Sequence, residues 1–487
     1  MLFNSYLFIF IFLPIVLAGF GLLAKRDDRR ACLLWLVVGS LFYYGWWNPD
    51  YLILLGISVT FNFAIGNTIG RLSGSRRQKL YLIFGIVLNL ALLGYFKYAG
   101  FLTKNVEALV GADWDLPVVI LPLAISFFTF QQIAYLVDAY RGEAKDYSFL
   151  EYVLFVTFFP QLIAGPIVHH KEMMPQFERP NLNIRSEDIA VGGTTFILGL
   201  AKKVIIADTM AAYASPIFAM SESGTTPGLV VAWAGVLAYS MQIYFDFSGY
   251  SDMAIGIARL FGIRLPLNFA SPYKAESLVE FWRRWHMTLS RFLRDYLYFP
   301  LGGNRRGPVR RHINLMLTML LGGLWHGAGW NFVVWGGLHG FYLVVNHVWL
   351  RFRPENLVGG VFYRIACRGL TFLAVLLAWV FFRAIDFDSA RSMLRGLVSM
   401  GASGGSLGFA FEAAEAYPKI LIALLIAFLA PNTQELMGQT SIDAADGHPS
   451  HWWQWRPSFA WAILSMVFLS WSVLKISSYS EFIYFQF

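Results

Sequence analysis

The sequence predicts an all-α, polytopic integral membrane protein, and three observations support this fold class. Apolar residues make up 57% of the 487 positions and charged residues only 14%, against about 25% charged residues in an ordinary soluble domain. The apolar residues form continuous stretches long enough to cross a bilayer as helices. They do not alternate with a period of two, which argues against a barrel. Because only helices and closed barrels can span a lipid bilayer, the sequence predicts membrane-spanning helices.

The apolar stretches define the expected domain organisation. We expect about ten to thirteen crossings within a single membrane domain covering 1–487, because several stretches are short or interrupted. Transmembrane helices are expected over 1–247 and 351–487, with broken or interfacial helices and the candidate catalytic centre over 248–350. The span near 6–24 has no charged residue before it and no cleavage pattern after it, so we interpret it as uncleaved. Candidate spans lie near 6–24, 31–47, 51–69, 80–96, 118–139, 149–166, 190–208, 228–247, 313–325, 331–350, 366–384, 417–431 and 458–474.

Positively charged loops set the expected orientation. The segments 25–30 and 71–79 each carry four Lys or Arg residues, whereas 48–50 between them carries none. The positive-inside rule therefore places both charged loops in the cytoplasm and the N-terminus outside. The net charge of +8 is explained by residues beside spans, so we do not expect a nucleic-acid partner.

Glycines and prolines from Gly249 to Pro300 predict a break in the regular helices. Broken helices at membrane depth are tolerated only where they are buried in protein or line a wet cavity. Asp246 and Asp252 flank the expected break, and Ser251 or Asp252 would cap the second helix. Asp246 follows an apolar span, so we expect it to hold a cation such as an arginine of a helix over 283–294.

His326 is the leading candidate for proton transfer. It lies in the uncharged run 321–330, with glycines on both sides. An ionisable side chain inside a helical bundle is costly, and histidine exchanges protons near neutral pH. From these local features, a catalytic role and a core histidine hydrogen-bonded between helices stay equally open. His339 has a similar glycine setting and is a weaker candidate.

His286 lies beside a run of arginines. A helix over 280–295 would place charged residues on one face and Trp and Leu residues on the other, with His286 at the border of the apolar face and directed into the bundle. Arg283, Arg284 and Arg291 belong to the charged face, which we expect at the cytoplasmic interface. Two interpretations stay open for these arginines: attraction to anionic lipid, or binding of a polyanionic donor such as a coenzyme A thioester.

The sequence contains none of the common cofactor or metal motifs. It has no Walker loop, no zinc-binding H-E-x-x-H helix and no dinucleotide fingerprint. Cys32 and Cys367 are far apart and adjoin apolar stretches, which argues against a disulfide or a metal site. An H-x-x-x-x-D acyltransferase box would need Asp at position 291 or 331, and these positions hold Arg291 and Asn331. We therefore expect no metal and no tightly bound cofactor.

Five segments resemble the membrane-bound O-acyltransferase (MBOAT) family, specifically its alginate-acetylation branch. They are SFFTFQ at 126–131, FPQLIAGPI at 159–167, YFDFSGYSDMA at 244–254, FWRRWH at 281–286 and WHG at 325–327. The resemblance implies an MBOAT-like ring of transmembrane helices around short broken central helices and a tunnel. It also implies that His326 and His286 are catalytic. The accompanying candidates for substrate binding are Asp246, Trp325, Arg283, Arg284, Arg291, Asn331 and His339.

The resemblance further implies an activity and partners. Proteins of this branch pass acetyl groups from a cytoplasmic donor, taken to be acetyl-CoA, across the bacterial inner membrane. Periplasmic partner acetyltransferases of the SGNH type then acetylate an exopolysaccharide such as alginate. We expect His326 to act as general base toward an acceptor hydroxyl, and His286 to polarise or position the thioester. Exclusion of water would suppress hydrolysis of the thioester.

Other functions stay open at this point. The chain would be a non-catalytic conduit for the acetyl donor if the partner performed all the chemistry, because transporters also place broken helices around buried polar residues. Within the acyltransferase class, the acceptor would instead be cellulose, peptidoglycan or a lipid, or the acyl chain would be long.

Overall fold

The computed structural model describes residues 1–114, 119–144, 147–180, 182–353, 360–399, 407–438, 451–476 and 483. Every regular element within these ranges is a helix, which confirms the all-α fold class. The segment over 431–457, which is polar and rich in tryptophan and is therefore predicted to lie at the membrane interface, is partly outside the described residues. The helices are α1 (Leu13–Ala24), α2 (Arg29–Gly45), α3 (Asp50–Arg71), α4 (Arg76–Leu93), α5 (Ala99–Val110), α6 (Ile125–Tyr140), α7 (Phe149–Thr157), α8 (Phe159–Leu162), α9 (His170–Phe177), α10 (Ser186–Ala201), α11 (Asp208–Glu222), α12 (Leu229–Leu260), α13 (Leu278–Arg284), α14 (Met287–Leu293), α15 (Gly307–His326), α16 (Trp330–Phe352), α17 (Val361–Arg383), α18 (Phe387–Gly396), α19 (Leu407–Leu429), α20 (Thr433–Met437) and α21 (Phe459–Lys475).

Short polar side chains determine where several of these helices begin. Asp28 accepts a hydrogen bond from the third residue of α2, and Ser75 does the same for α4. Ser148 and Glu151 form a reciprocal capping box at the start of α7. Such caps satisfy backbone N–H groups that have no partner within the helix.

Five helical segments are long and apolar enough to cross a membrane, judged by length and composition over the described residues. They are Asp50–Arg71, Arg76–Val110, Ser186–Glu222, Leu229–Leu260 and Val361–Arg383. Two shorter apolar helices cover Phe8–Ala24 and Phe459–Lys475. The expected total of ten to thirteen crossings and the three-part division of the chain stay predictions.

The chain divides into two compact units. The first contains Met1–Ile197 and Tyr250–Pro266. Its buried polar contacts include an ion pair of 2.7 Å between Arg259 Nε and Asp188 Oδ1. The polar sequence around His170 predicts a loop, but His170 begins α9 with its ring buried, and its Nδ1 lies 3.0 Å from Asp138 Oδ2.

The second unit contains Leu198–Gly249 and most of the chain after Leu267, and all candidate site residues lie in it. Tyr273 connects three of its elements. The Tyr273 hydroxyl donates to Ser240 O at 2.7 Å and accepts from Trp379 Nε1 at 3.2 Å. These bonds attach the segment 272–274 to α12 and α17 and so fix the chain that leads into α13.

The predicted break after Gly249 is wrong. Helix α12 runs without interruption from Leu229 to Leu260. Gly256 allows close packing there instead, because a Cβ at this position would lie 2.6 Å from Gly192 O. A glycine in an apolar helix therefore marks backbone contact here, as it does in many membrane helix pairs. The predicted cap at Ser251 or Asp252 is wrong for the same reason.

Two predicted helices are interrupted. The continuous helix expected over 280–295 is wrong, because α13 ends at Arg284 and α14 begins at Met287. The candidate span over 149–166 is also interrupted: α7 ends at Thr157, and only the short α8 follows. The broken central region therefore does exist, but it begins beyond Leu260 and not at Gly249.

Candidate active site

His326 is placed by a tight pair of helices. It is the last residue of α15, and α16 begins after three intervening residues. Gly323 and Gly336 let the two helices meet backbone to backbone. A Cβ on Gly323 would lie 2.2 Å from Phe332 O, and one on Gly336 would lie 2.3 Å from Met319 O. Gly323 and Gly336 therefore serve helix packing.

The His326 ring is buried among aromatic side chains. Only 4% of the residue is exposed. Its ring centroid lies 4.9 Å from Trp325, 5.1 Å from Trp335 and 5.3 Å from Phe382, each in an edge-on arrangement. This packing fixes the position of the imidazole and removes it from bulk water.

His286 connects α13 to α14 in an unusual backbone conformation. Its φ is +41°, in the left-handed region, which is strained for a residue with a Cβ and is enriched at functional sites. The break directs the side chain inward, and the residue is fully buried. The expectation that His286 faces the bundle is thus confirmed, although the helix assumed for it is wrong.

Asn268 determines which nitrogen of His286 carries the proton. Asn268 Oδ1 accepts from the Thr288 hydroxyl at 2.8 Å and from the Thr288 backbone N–H at 3.3 Å. His286 Nδ1 lies 3.1 Å from this same oxygen and must donate to it. The neutral imidazole therefore keeps its proton on Nδ1 and has its lone pair on Nε2. His286 thus offers a hydrogen-bond acceptor at Nε2.

His339 has the opposite tautomer. Trp282 Nε1 donates to His339 Nδ1 at 3.3 Å, and an indole N–H can only donate. The proton of His339 is therefore on Nε2. The residue is fully buried, and its ring packs against Phe281, Trp335 and Trp379.

Shared tryptophans connect the three histidines. Trp325 contacts both His286, at 6.5 Å between ring centroids, and His326. Trp335 contacts both His326 and His339, the latter at 4.9 Å. The structure therefore brings four of the sequence-predicted residues together: Trp325, His326, His286 and His339.

Asp246 has a different cation partner from the one expected. It pairs with Lys203, whose Nζ lies 2.8 Å from Asp246 Oδ1 and 2.8 Å from Asp208 Oδ1. The expectation of a buried cation beside Asp246 is therefore confirmed, with Lys203 in place of the suggested arginine. The second oxygen of Asp246 accepts from the Ile483 backbone N–H at 3.1 Å. The next residue, Phe247, packs its ring 4.7 Å from the ring of His286. The ion pair therefore holds the part of α12 that contacts His286.

Two of the other predicted residues have partners elsewhere among the described residues. Asn331 donates from Nδ2 to Ala384 O at 2.8 Å and so ties α16 to the end of α17. Arg284 pairs with Glu280 at 2.6 Å. Arg283 is exposed, and Arg291 is half-buried.

A salt bridge anchors the loop that precedes α13. Glu276 Oε1 lies 2.8 Å from both Arg364 and Arg368 of α17. The hydrogen bond from Arg364, followed by that from Arg368, holds the pKa of the Glu276 carboxyl below its ordinary value. This loop leads directly into the helix that carries Trp282.

Sequence reasoning missed the residues that hold the histidines in place. Lys203 carried a usable signal, because a lysine inside an apolar helix is a functional suspect by itself. Asn268, Trp335 and Trp282 carried none. Each is an ordinary residue for its segment, and its importance depends on a partner distant in sequence.

The chain matches the profile of the MBOAT, membrane-bound O-acyltransferase family, over residues 121–385. It is 42% identical to the peptidoglycan O-acetyltransferase of Helicobacter pylori, over 100% of this chain and 98% of that protein. It is 37% identical to the "Probable alginate O-acetylase AlgI" of Pseudomonas aeruginosa over the full length of both. A teichoic acid D-alanyltransferase of Streptococcus thermophilus is 30% identical over 47% of this chain and 57% of that protein.

These similarities and the several apolar helices agree with the motifs on which the resemblance was based. The matched profile includes α13 to α16, and therefore all three histidines of the site. The chain is a multi-pass membrane protein with O-acyltransferase activity, and it belongs to the membrane-bound O-acyltransferase family.

Proposed function

We propose that the protein moves acetyl groups from cytoplasmic acetyl-CoA across the bacterial inner membrane for O-acetylation of an extracytoplasmic polysaccharide such as alginate. The observation that carries this proposal is the buried cluster of His286, His326 and their shared Trp325, inside a chain that resembles O-acetyltransferases over its full length. A periplasmic SGNH-type acetyltransferase would receive the acetyl group and acetylate the polysaccharide. The membrane topology proposed with it places the N-terminus in the periplasm.

In this proposal the two histidines divide the work. His326 takes the proton from the acceptor hydroxyl as general base, a contribution of about 10²–10⁴ in rate. The tautomer of His286 supports a refinement of its role, because a lone pair on Nε2 accepts a hydrogen bond from a hydroxyl. His286 would therefore orient the acceptor through a group other than the reacting hydroxyl, whose proton goes to His326, whereas the sequence suggested that His286 positions the thioester.

Arg283 supports a donor-binding role for the charged end of α13. It is exposed and beside the segment that leads to His286. A guanidinium matches phosphate geometry well, and coenzyme A carries phosphates. Arg284 is already paired with Glu280, which leaves Arg283 as the better candidate of the two.

Peptidoglycan is the second candidate acceptor. It is favoured by the 42% identity to a peptidoglycan O-acetyltransferase, compared with 37% for the alginate relative from Pseudomonas aeruginosa. Both polysaccharides lie outside the cytoplasmic membrane and would receive the acetyl group from the partner, so the chemistry proposed for His286 and His326 is the same for each.

The test compares two histidines of the same helix. His326→Ala should abolish acetylation of the cell-surface polysaccharide at normal membrane abundance, because the general base is lost. His312→Ala removes a half-buried histidine from α15 and should leave acetylation unchanged. Retained acetylation in the His326→Ala strain would refute the assignment.

A second arm separates catalysis from passive conduction. The purified protein, without a partner, is given labelled acetyl-CoA and a soluble hydroxyl acceptor. Label transferred by the wild type and not by His326→Ala supports an enzyme. Failure of the wild type to transfer, together with label transfer once the partner is added to either protein, would support the conduit.

A further inference from the structure

We propose that His339 donates a hydrogen bond from Nε2 to the acyl carbonyl oxygen and stabilises its negative charge during transfer. This inference rests on the proposed acetyl transfer and assigns a role to an atom outside the His286–His326 pair. Its basis is the juxtaposition of a fixed tautomer, complete burial and contact with the same tryptophan as His326.

The bond from Trp282 fixes the direction of the donor. With Nδ1 accepting from the indole, His339 presents an N–H at Nε2. No group among the described residues accepts a hydrogen bond from this atom. Buried polar groups in proteins are nearly always paired, and an exception requires an explanation. An oxygen of the substrate supplies one.

A neighbouring ring carries a second donor of the same kind. Trp335 is 1% exposed, and its Nε1–H has no acceptor in the part of the chain that the structure describes. Its ring centroid lies 4.9 Å from His339 and 5.1 Å from His326. Two buried N–H groups beside a proton-transferring histidine are the arrangement expected for stabilising an oxyanion.

The transfer step then balances as follows. The acceptor hydroxyl oxygen bonds to the acyl carbon while His326 takes the hydroxyl proton, and the carbonyl oxygen becomes negative. His339 Nε2–H donates to that oxygen without giving up its proton. When the carbonyl re-forms, the C–S bond breaks, and the thiolate leaves with the proton returned by His326. No further reactant is required.

Kinetics of the full-length protein in detergent test the proposal. His339→Phe keeps a ring but removes the donor, and kcat should fall about 10²-fold, with KM for acetyl-CoA within about threefold. His339→Gln keeps an N–H near the position of Nε2 and should recover most of the loss. A wild-type kcat for His339→Phe, or equal losses in the Phe and Gln variants, would overturn the proposal.

The carbonyl stretch of bound acetyl-CoA, labelled with ¹³C at the carbonyl, gives a readout that a purely structural role would not change. In the His326→Ala background the thioester stays intact, and adding His339→Phe should raise the stretching frequency because a hydrogen bond is lost. An unchanged frequency would contradict the inference.

If His339→Phe does not accumulate, Trp282→Phe serves instead. It removes the hydrogen bond that fixes the tautomer of His339 and should lower kcat about tenfold. An unchanged kcat would count against the proposal.

The His326→Ala protein separates this inference from the proposed function. If the wild type itself transfers no acetyl group, the proposed function fails, and if His326→Ala still transfers them, the role of His326 as general base fails. If His326→Ala is inactive and His339→Phe equals the wild type, only the role of His339 fails.

Discussion

The buried ion pair behind the site makes the strongest prediction about stability. Lys203 is 1% exposed and Asp246 is 1% exposed, and their charged atoms lie 2.8 Å apart. Lys203→Met removes the positive charge at similar side-chain length. It leaves the Asp246 carboxylate in the protein interior without its principal cation.

The expected loss follows from this burial. Removing one partner of a buried ion pair costs about 3–5 kcal/mol, because the other charge stays desolvated. Asp208, the second carboxylate on Lys203, has 21% of its side chain exposed and will recover hydration by itself. We therefore assign most of the loss to Asp246. The double variant with Asp246→Asn should recover at least half of it, since no buried charge remains.

Thermal unfolding of the purified protein in detergent measures both variants, and the interaction is obtained as a double-mutant cycle. Lys202→Met is the matched control, because its side chain is only half-buried. That substitution should cost less than about 1 kcal/mol. Equal losses at positions 202 and 203, or no recovery in the double variant, would refute the reasoning.

Three further predictions concern the site and its scaffold. Gly336→Ala should destabilise the protein by about 1–3 kcal/mol in thermal unfolding, because its Cβ would lie 2.3 Å from a carbonyl oxygen of α15. Gly337→Ala is the control, since the atom nearest to a Cβ there is 3.5 Å away. Equal stability of the two alanine variants would contradict this. Asn268→Ala should lower kcat up to about 10²-fold without abolishing membrane insertion, because His286 loses the acceptor that fixes its tautomer. An unchanged kcat would show that the tautomer is irrelevant. Arg283→Ala should raise KM for acetyl-CoA about fivefold, equivalent to about 1 kcal/mol for an exposed charge, with kcat unchanged; a lower kcat at constant KM would exclude a donor-binding role.

Part of the site follows from the sequence because its signals are local. The cost of placing His326 in an apolar run is a property of that run alone. The inward direction of the His286 side chain was predicted from its position relative to neighbouring apolar residues. That prediction is correct even though the helix is interrupted at His286. Family motifs around both residues led to the same acyl-transfer chemistry that the comparisons support.

The position at which the helix is interrupted could not be predicted from the sequence. The glycine at Gly249 looked like a break, yet the helix continues through it, whereas the chain breaks at His286, which is not a glycine. A glycine in a helix interior permits either a kink or close packing. Which of these occurs depends on whether another backbone lies alongside, and that is decided by the assembled helices.

By itself, then, the sequence determined that the chain lies in a membrane as helices and that its chemistry involves buried histidines, because hydropathy and residue chemistry act over a few neighbouring positions. Only the tertiary structure decided how those histidines are used. The partner of Asp246 lies 43 positions earlier in the chain, at Lys203, and the partner that fixes His339 lies 57 positions earlier, at Trp282. A side chain's proton position and charge partner depend on atoms within about 3 Å, and the packing of distant helices brings those atoms together.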